Sequence, residues 1–266
     1  MFQRLRQLLV NSRFGPAEVT AVQQFTPHMI RLTLASDLVR EFAPDCAGGH
    51  LKLVVPDKDQ SPSAFEAFIE AGKFKSQMRT YTIRHARPHA GEIDVDIMTH
   101  GDLGRVGPWA QRTSVGEVLV ISRCGSPKLI TKGVRQVLAA ADLTGFPALA
   151  AGLETLSGDV AVTAFVEIPS EEDRQPFDAA PGIAVRWIIK PDPSAPGTDL
   201  IEAIKSAPAP GPKTSVFVAG EFSTVKALRQ YFKKELKVDK ARTYISSYWK
   251  VGLDENAHKE VKAAAA

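Results

Sequence analysis

Cysteine is scarce in this 266-residue chain: there are two, Cys46 and Cys124, with no Cys-x-x-Cys pair and no histidine placed as a metal partner. A zinc or iron–sulfur centre is not expected, and two isolated cysteines fit a reducing compartment where thiols stay free. Long hydrophobic runs are also missing. No window approaches the ~18 apolar residues of a membrane span. The opening, Met1 to Val10, is basic and then apolar too briefly for a secretory signal, so the expected location is cytoplasmic, with no membrane partner. Basic residues exceed acidic ones by only 33 − 30 = 3. They are scattered, apart from Lys233, Lys234, Lys237 and Lys240, which read as the solvated face of a helix, so nucleic acid is not expected as a partner. There is no internal repeat of 20–50 residues and no Gly-x-Gly-x-x-Gly fingerprint. His28, His50, His85 and His89 show no ligand spacing. No apolar stripe is left unassigned, which points to a monomer.

What is present is a soluble-protein composition, 44% hydrophobic and 24% charged, sufficient for a buried core. The first half reads as short strands between turns, at 17–24, 30–34, 51–55, 78–83, 93–99 and 118–122. In the fifth, Ile93, Val95 and Ile97 form one face, with Asp94 and Asp96 on the other. Six such strands suggest an antiparallel barrel, interrupted by a helix within 61–75. After about Lys128, strand-like runs at 136–141, 160–167, 184–189 and 215–219 alternate with helices at 148–156, 199–207 and 224–235. This pattern predicts an α/β domain with a mostly parallel sheet. The expected division is 1–130 for the barrel and 131–266 for the α/β domain.

Two segments carry chemistry. In Arg79-Thr80-Tyr81-Thr82-Ile83-Arg84, strand alternation sends Arg79, Tyr81 and Ile83 to one side and Thr80, Thr82 and Arg84 to the other. A guanidinium grips phosphate oxygens in pairs and a tyrosine stacks on a flat ring. The same hexapeptide also reads as a strand with surface arginines and a half-buried tyrosine. The second segment, from Thr99 and His100 to Ala110, holds Gly101, Gly104 and Gly107 ahead of Pro108 and Trp109. Such a loop cradles a pyrophosphate on backbone amides, or is a plain turn in which His100 is a loop hydrogen-bonder.

Together these segments resemble the siderophore-interacting protein family, FAD-dependent ferric-siderophore reductases of the ferredoxin–NADP reductase superfamily. The resemblance runs on through Asp142-Leu143-Thr144-Gly145-Phe146-Pro147-Ala148, through Gly220-Glu221 with Arg229, and through Tyr248-Trp249-Lys250-Val251-Gly252. It implies that FAD is held by Arg79, Thr80, Tyr81 and Thr82, and by Thr99, His100, Gly101, Gly104, Val106, Gly107 and Trp109. Asp142, Thr144 and Trp249 would lie near the cofactor, although Trp249 with Tyr248 also reads as core closure. Glu221 is alternatively a carboxylate at a helix N-terminus. Two departures stand out. Gly107 lacks the hydroxyl that relatives use toward phosphate, with Arg105 as a candidate substitute. The turn after the last barrel strand is altered to Ser122-Arg123-Cys124-Gly125-Ser126.

The reaction so implied is electron transfer to Fe(III), which needs no catalytic protein side chain and no resident metal. Lys52, Lys128 and Lys250 are the matches to a basic triad that attracts an anionic ferric siderophore, with Arg123 as a substitute for Lys128; three unrelated solvated lysines are the plain alternative. The electron donor is left open among NADH, NADPH and reduced ferredoxin. Competing readings are a flavin reductase acting on free flavin or a partner protein, and a non-catalytic siderophore-binding protein.

Overall fold

The computed structural model describes residues 1–10, 12–99, 101, 104–125, 127, 129–192 and 197–264. The chain folds as two units, Met1–Pro127 and Lys128–Ala266. Among the described residues no helix is long and apolar enough to cross a membrane.

The first unit is a closed six-stranded barrel. Its strands are β1 (Phe14–Thr26), β2 (Met29–Ala35), β3 (His50–Val54), β4 (Arg79–Arg87), β5 (Glu92–Met98) and β6 (Val118–Ser122). They are ordered β1-β2-β5-β4-β3-β6, and β1 pairs with β6 to complete the circle. Period-two alternation decides what fills it. Ile93, Val95 and Ile97 are fully buried in the interior with Leu32, Leu34, Leu51, Leu53, Ile83, Leu119 and Ile121. Asp94 and Asp96 face the other way, as expected, and are tied down there. Arg31 holds Asp96 through two bonds of 2.7 and 2.8 Å. Burial pushes Asp94 up, but hydrogen bonds from Arg87, His85 and Thr33 outweigh it and hold its carboxyl well below the usual range.

A second apolar layer lies outside the barrel. Helix α1 (Phe2–Leu8) and helix α2 (Pro62–Glu70) place Leu5, Phe65 and Ile69 against Val54, Val118 and Val120. Each such side chain contributes about 1.5–3 kcal/mol on burial. Helix α2 falls inside the predicted 61–75 and is capped by Ser61, whose hydroxyl accepts Ala64 N–H at 3.2 Å. Helix α1 has no counterpart in the sequence reading, which weighed the opening only as a secretory signal. Helix α3 (Val106–Arg112) follows the glycine loop.

The second unit is a parallel five-stranded sheet in the order β11-β10-β7-β8-β9. Its strands are β7 (Gln136–Asp142), β8 (Ala161–Ile168), β9 (Val185–Ile189), β10 (Thr214–Glu221) and β11 (Thr243–Trp249). Helices α4 (Phe146–Leu153), α5 (Thr198–Ser206), α6 (Phe222–Gln230) and α7 (Glu255–Ala264) accompany them. All eight residues of β10 are buried, as a central strand covered on both faces requires. Leu138, Ala140, Val216 and Val218 meet Leu200 and Ile204 of α5 and Val225 and Leu228 of α6 in one core. Helix α6 ends in a single π turn over Tyr231–Glu235, which completes the predicted 224–235 helix.

Candidate functional site

In the first unit the candidate residues gather at one end of the barrel. Strand β4 pairs with β3 over Arg79–Thr82, where Lys52 opposes Thr80 and His50 opposes Thr82. Its ladder with β5 begins only at Ile83↔Val95 among the described residues. The two strands therefore part beside Arg79–Thr82. Ile83 fills the barrel interior, whereas Tyr81 packs against that core and stays partly exposed. Arg79 is likewise partly exposed. Its Nη1 donates to the carbonyls of Ser76 (3.2 Å) and Met78 (3.1 Å), which fixes the guanidinium at the start of the strand. Thr82 is 8% exposed, and Thr80 is exposed and accepts a bond from Lys52 Nζ.

Because β4 and β5 run antiparallel, the end of β5 reaches the same end of the barrel as Arg79. Thr99 is buried there and its N–H donates to His28 O at 2.9 Å. Gly101 and Gly104 adopt φ of 67° and 81°, left-handed backbone that favours glycine, and the space where a side chain would project from either is open. Gly107 sits where α3 meets the strand: a side chain there would stand 3.4 Å from Met98 O. His100 and Lys128 lie outside the described residues.

An aromatic ring with a partly open surface, a fixed guanidinium, a small hydroxyl and glycine turns beside open space are what a flavin dinucleotide needs. The residues present fit FAD. One expectation requires correction, and another narrows to the backbone. Trp109 is fully enclosed in the barrel core, and its indole N–H donates to Glu117 Oε1 at 2.8 Å, so its side chain has no surface for a ligand. The side chain of Val106, 1% exposed, belongs to the same core. Arg105, the candidate substitute at phosphate, is paired with Asp57, and Arg123 is paired with Glu41.

In the second unit Asp142, Thr144 and Trp249 converge. Asp142 Oδ1 accepts Thr144 N–H (2.9 Å), Thr144 Oγ1 (2.5 Å) and Gly145 N–H (3.1 Å). Its Oδ2 accepts Glu221 N–H (2.8 Å) and Trp249 Nε1 (2.7 Å). Burial pushes the Asp142 carboxyl up, with Thr144 and Trp249 pulling the other way. Gly220 makes this approach feasible, because a Cβ there would lie 2.5 Å from Asp142 Oδ2. Glu221 caps α6 by accepting the N–H of Ser223 and of Thr224, the helix-terminus reading of that residue. Lys250 follows on from β11 with its Nζ 5.0 Å from the centre of the Phe222 ring.

A small recess opens at the carboxyl ends of β7 and β10, where the strand order reverses, the usual ligand position in open α/β sheets. Asp142, Glu167, Glu221 and Thr224 line it. Glu167, in register with Asp142, is pushed up to about 7 by burial and then by the Asp142 charge. Glu167 Oε2 and Thr224 Oγ1 are buried without a hydrogen-bond partner among the described residues. Sequence reasoning passed over both. The available signal was an acid ending an apolar strand of a parallel sheet.

Comparison with known proteins gives a consistent picture. The family described as siderophore-interacting protein matches residues 134–252, and the siderophore-interacting FAD-binding domain matches residues 18–127. The ferric vibriobactin reductase ViuB of Vibrio cholerae is 28% identical over 241 residues, covering 88% of each chain. The NADPH-dependent ferric-chelate reductase of Escherichia coli is 25% identical over 259 residues, covering 93% of this chain and 96% of that protein. The crystal structure of the siderophore-interacting protein SipS from Aeromonas hydrophila superposes with a TM-score of 0.79 at 29% identity, covering 95% of this chain and 97% of that one.

Proposed function

This chain belongs to the siderophore-interacting protein family, and from that membership we propose that it is a reductase of siderophore-bound Fe(III). FAD supplies the electron-transfer chemistry when bound, which no side chain of the protein can replace. We assign FAD to the barrel domain, residues 1–130, and interaction with the electron donor to the α/β domain, residues 131–266. The observation that carries this reading is that Arg79 and Tyr81 at the start of β4 lie at the same barrel end as the close of β5, after which Gly101 and Gly104 take left-handed turns beside open space.

In this reading Arg79 holds phosphate through a guanidinium already oriented by two backbone carbonyls. Tyr81 offers its partly open ring to the flat part of the cofactor, and Thr82 places a small hydroxyl where a larger side chain would block the reactive edge. Thr80, Thr99, His100 and the backbone of Gly101, Gly104, Val106 and Gly107 hold the remainder. Asp142, Thr144 and Trp249 serve as a preformed hydrogen-bonded node of the α/β domain. Lys52, Lys128 and Lys250 draw in an anionic ferric siderophore by long-range attraction. The donor is NAD(P)H, a nicotinamide nucleotide of either kind.

The test is direct. Purified protein is expected to carry visible flavin absorbance, to be reduced anaerobically by NADH or NADPH, and to release Fe(II) from ferric siderophores to a ferrous chelator. Colourless protein that cannot be reconstituted with FAD would overturn the assignment. Reduction by ferredoxin alone would replace the donor, and faster turnover of free flavin than of ferric siderophore would replace the substrate.

A further inference from the structure

Cys46 and Cys124 stand 78 positions apart, and their spacing suggests two unrelated thiols. Folding of the barrel unit brings them together. Cys46 lies in the turn before β3, and Cys124 follows β6. The bridge His50↔Gly125 holds these two segments side by side, with Gly125 N–H donating to His50 O at 2.8 Å. Cys124 Sγ lies 3.0 Å from Gly125 O and 3.8 Å from the backbone carbonyl oxygen of Cys46, and its side chain packs against the barrel core cluster that holds Cys46. Gly49 shapes this corner: a Cβ on it would stand 2.5 Å from Cys124 Sγ and 2.5 Å from Gly125 O. The sulfur occupies the room that a side chain at position 49 would take. Cys46 is buried and Cys124 is partly exposed.

The geometry points to a redox-active dithiol: low-molecular-weight disulfides convert Cys46 and Cys124 into an intramolecular disulfide. Cys124, the sulfur that solvent reaches, loses its proton and attacks one sulfur of the small disulfide. A mixed disulfide forms and one small thiol leaves. Cys46, whose carbonyl oxygen lies 3.8 Å from Cys124 Sγ, attacks the Cys124 sulfur as thiolate and expels the second small thiol, which takes up the proton. Two protein thiols lose two electrons and two protons, and the two released small thiols carry both away. Disulfide geometry requires Cβ atoms about 3.5–4.5 Å apart, and the approach of Cys124 Sγ to the backbone of residue 46 is the observation that makes this reachable.

The bond would fasten a turn that matters to the barrel. Gly48 N–H donates to Ile83 O (2.7 Å) and Ile83 N–H to Gly49 O (2.8 Å), so the turn is stitched to β4 directly beside Thr82.

Full-length protein is equilibrated in buffers of reduced and oxidised glutathione, quenched with acid, alkylated in denaturant and weighed intact. Wild type is expected to lose both alkylatable thiols together without retaining glutathione, and digestion should yield the Cys46 peptide linked to the Cys124 peptide. The bond should form at a glutathione poise at least about tenfold more reducing in folded than in denatured protein. Cys46→Ala should trap one glutathione on Cys124. Two free thiols in fully oxidised buffer, a stable glutathione adduct on wild type, or equal poise for folded and denatured chains would overturn the proposal. Should the variant fail to fold, the wild-type thiol count decides alone. The count depends on neither flavin nor reductase activity, so it stands or falls separately from the proposed function.

Discussion

The indole of Trp249 donates to Asp142 Oδ2 at 2.7 Å, joining the end of β11 to the end of β7 across the intervening β10 and 107 positions of sequence. The same carboxylate holds Thr144, Gly145 and Glu221. Asp142→Ala removes the acceptor for all of them at once, and the expected loss is about 3 kcal/mol, since buried donors left unpaired are costly. Trp249→Phe should lose about 1 kcal/mol, and the double variant should lose less than the sum. Denaturant unfolding of the three variants checks the coupling.

Arg79→Ala is expected to yield protein largely free of flavin, because the guanidinium at the start of β4 is the cation assigned to phosphate. Arg79→Lys keeps the charge but not the planar fork and should retain flavin in part. Visible absorbance relative to protein concentration reads both, and full occupancy of the alanine variant would remove the phosphate role.

Replacing Lys52, Lys128 and Lys250 together by alanine should slow reduction of anionic ferric siderophores about tenfold or more at low ionic strength. The difference should shrink as salt rises, since screening removes the advantage of the wild type. Flavin content should be unchanged. Equal rates at low salt would mean that the three lysines do not act on the substrate.

Glu167 should give the fold a pH dependence of definite sign. Its carboxyl is pushed up to about 7 in the folded chain, above its value of about 4.3 when unfolded. The folded state therefore holds the extra proton between these limits. Stability is fully present at acidic pH and is lost as pH rises toward and through about 7. The full shift corresponds to about 4 kcal/mol, and partial exposure of the side chain reduces this to about 1–2 kcal/mol. Glu167→Gln should flatten this part of the profile, measured as unfolding midpoints on either side of neutrality.

The barrel strands were legible because each alternates strongly or is short and apolar between turn residues, as with Ile93, Val95 and Ile97. Strand β11 escaped notice because Thr243–Trp249 mixes serine, threonine and aromatic residues and is mostly half-buried, so neither period is clear. Helix α7 is rich in lysine and alanine and fully buries little beyond His258, which leaves no apolar stripe to detect. Trp109 shows the opposite failure. Its place in a motif suggested ligand contact, but a large ring one turn into α3 is worth more as the plug of the barrel core, and Glu117 satisfies its only polar atom. Cys46 and Cys124 could not be paired from spacing, because their proximity is made by β3 and β6 lying side by side.

Closure of the barrel through Phe14–Glu18 and Val118–Ser122 has a consequence for recognition by other macromolecules. Each of its six strands has a hydrogen-bonded neighbour on both sides, so no whole strand is left as an edge for an added strand. Recognition of this half by another protein is therefore expected to rest mainly on side chains and loop backbone, whose charged contacts weaken as salt rises.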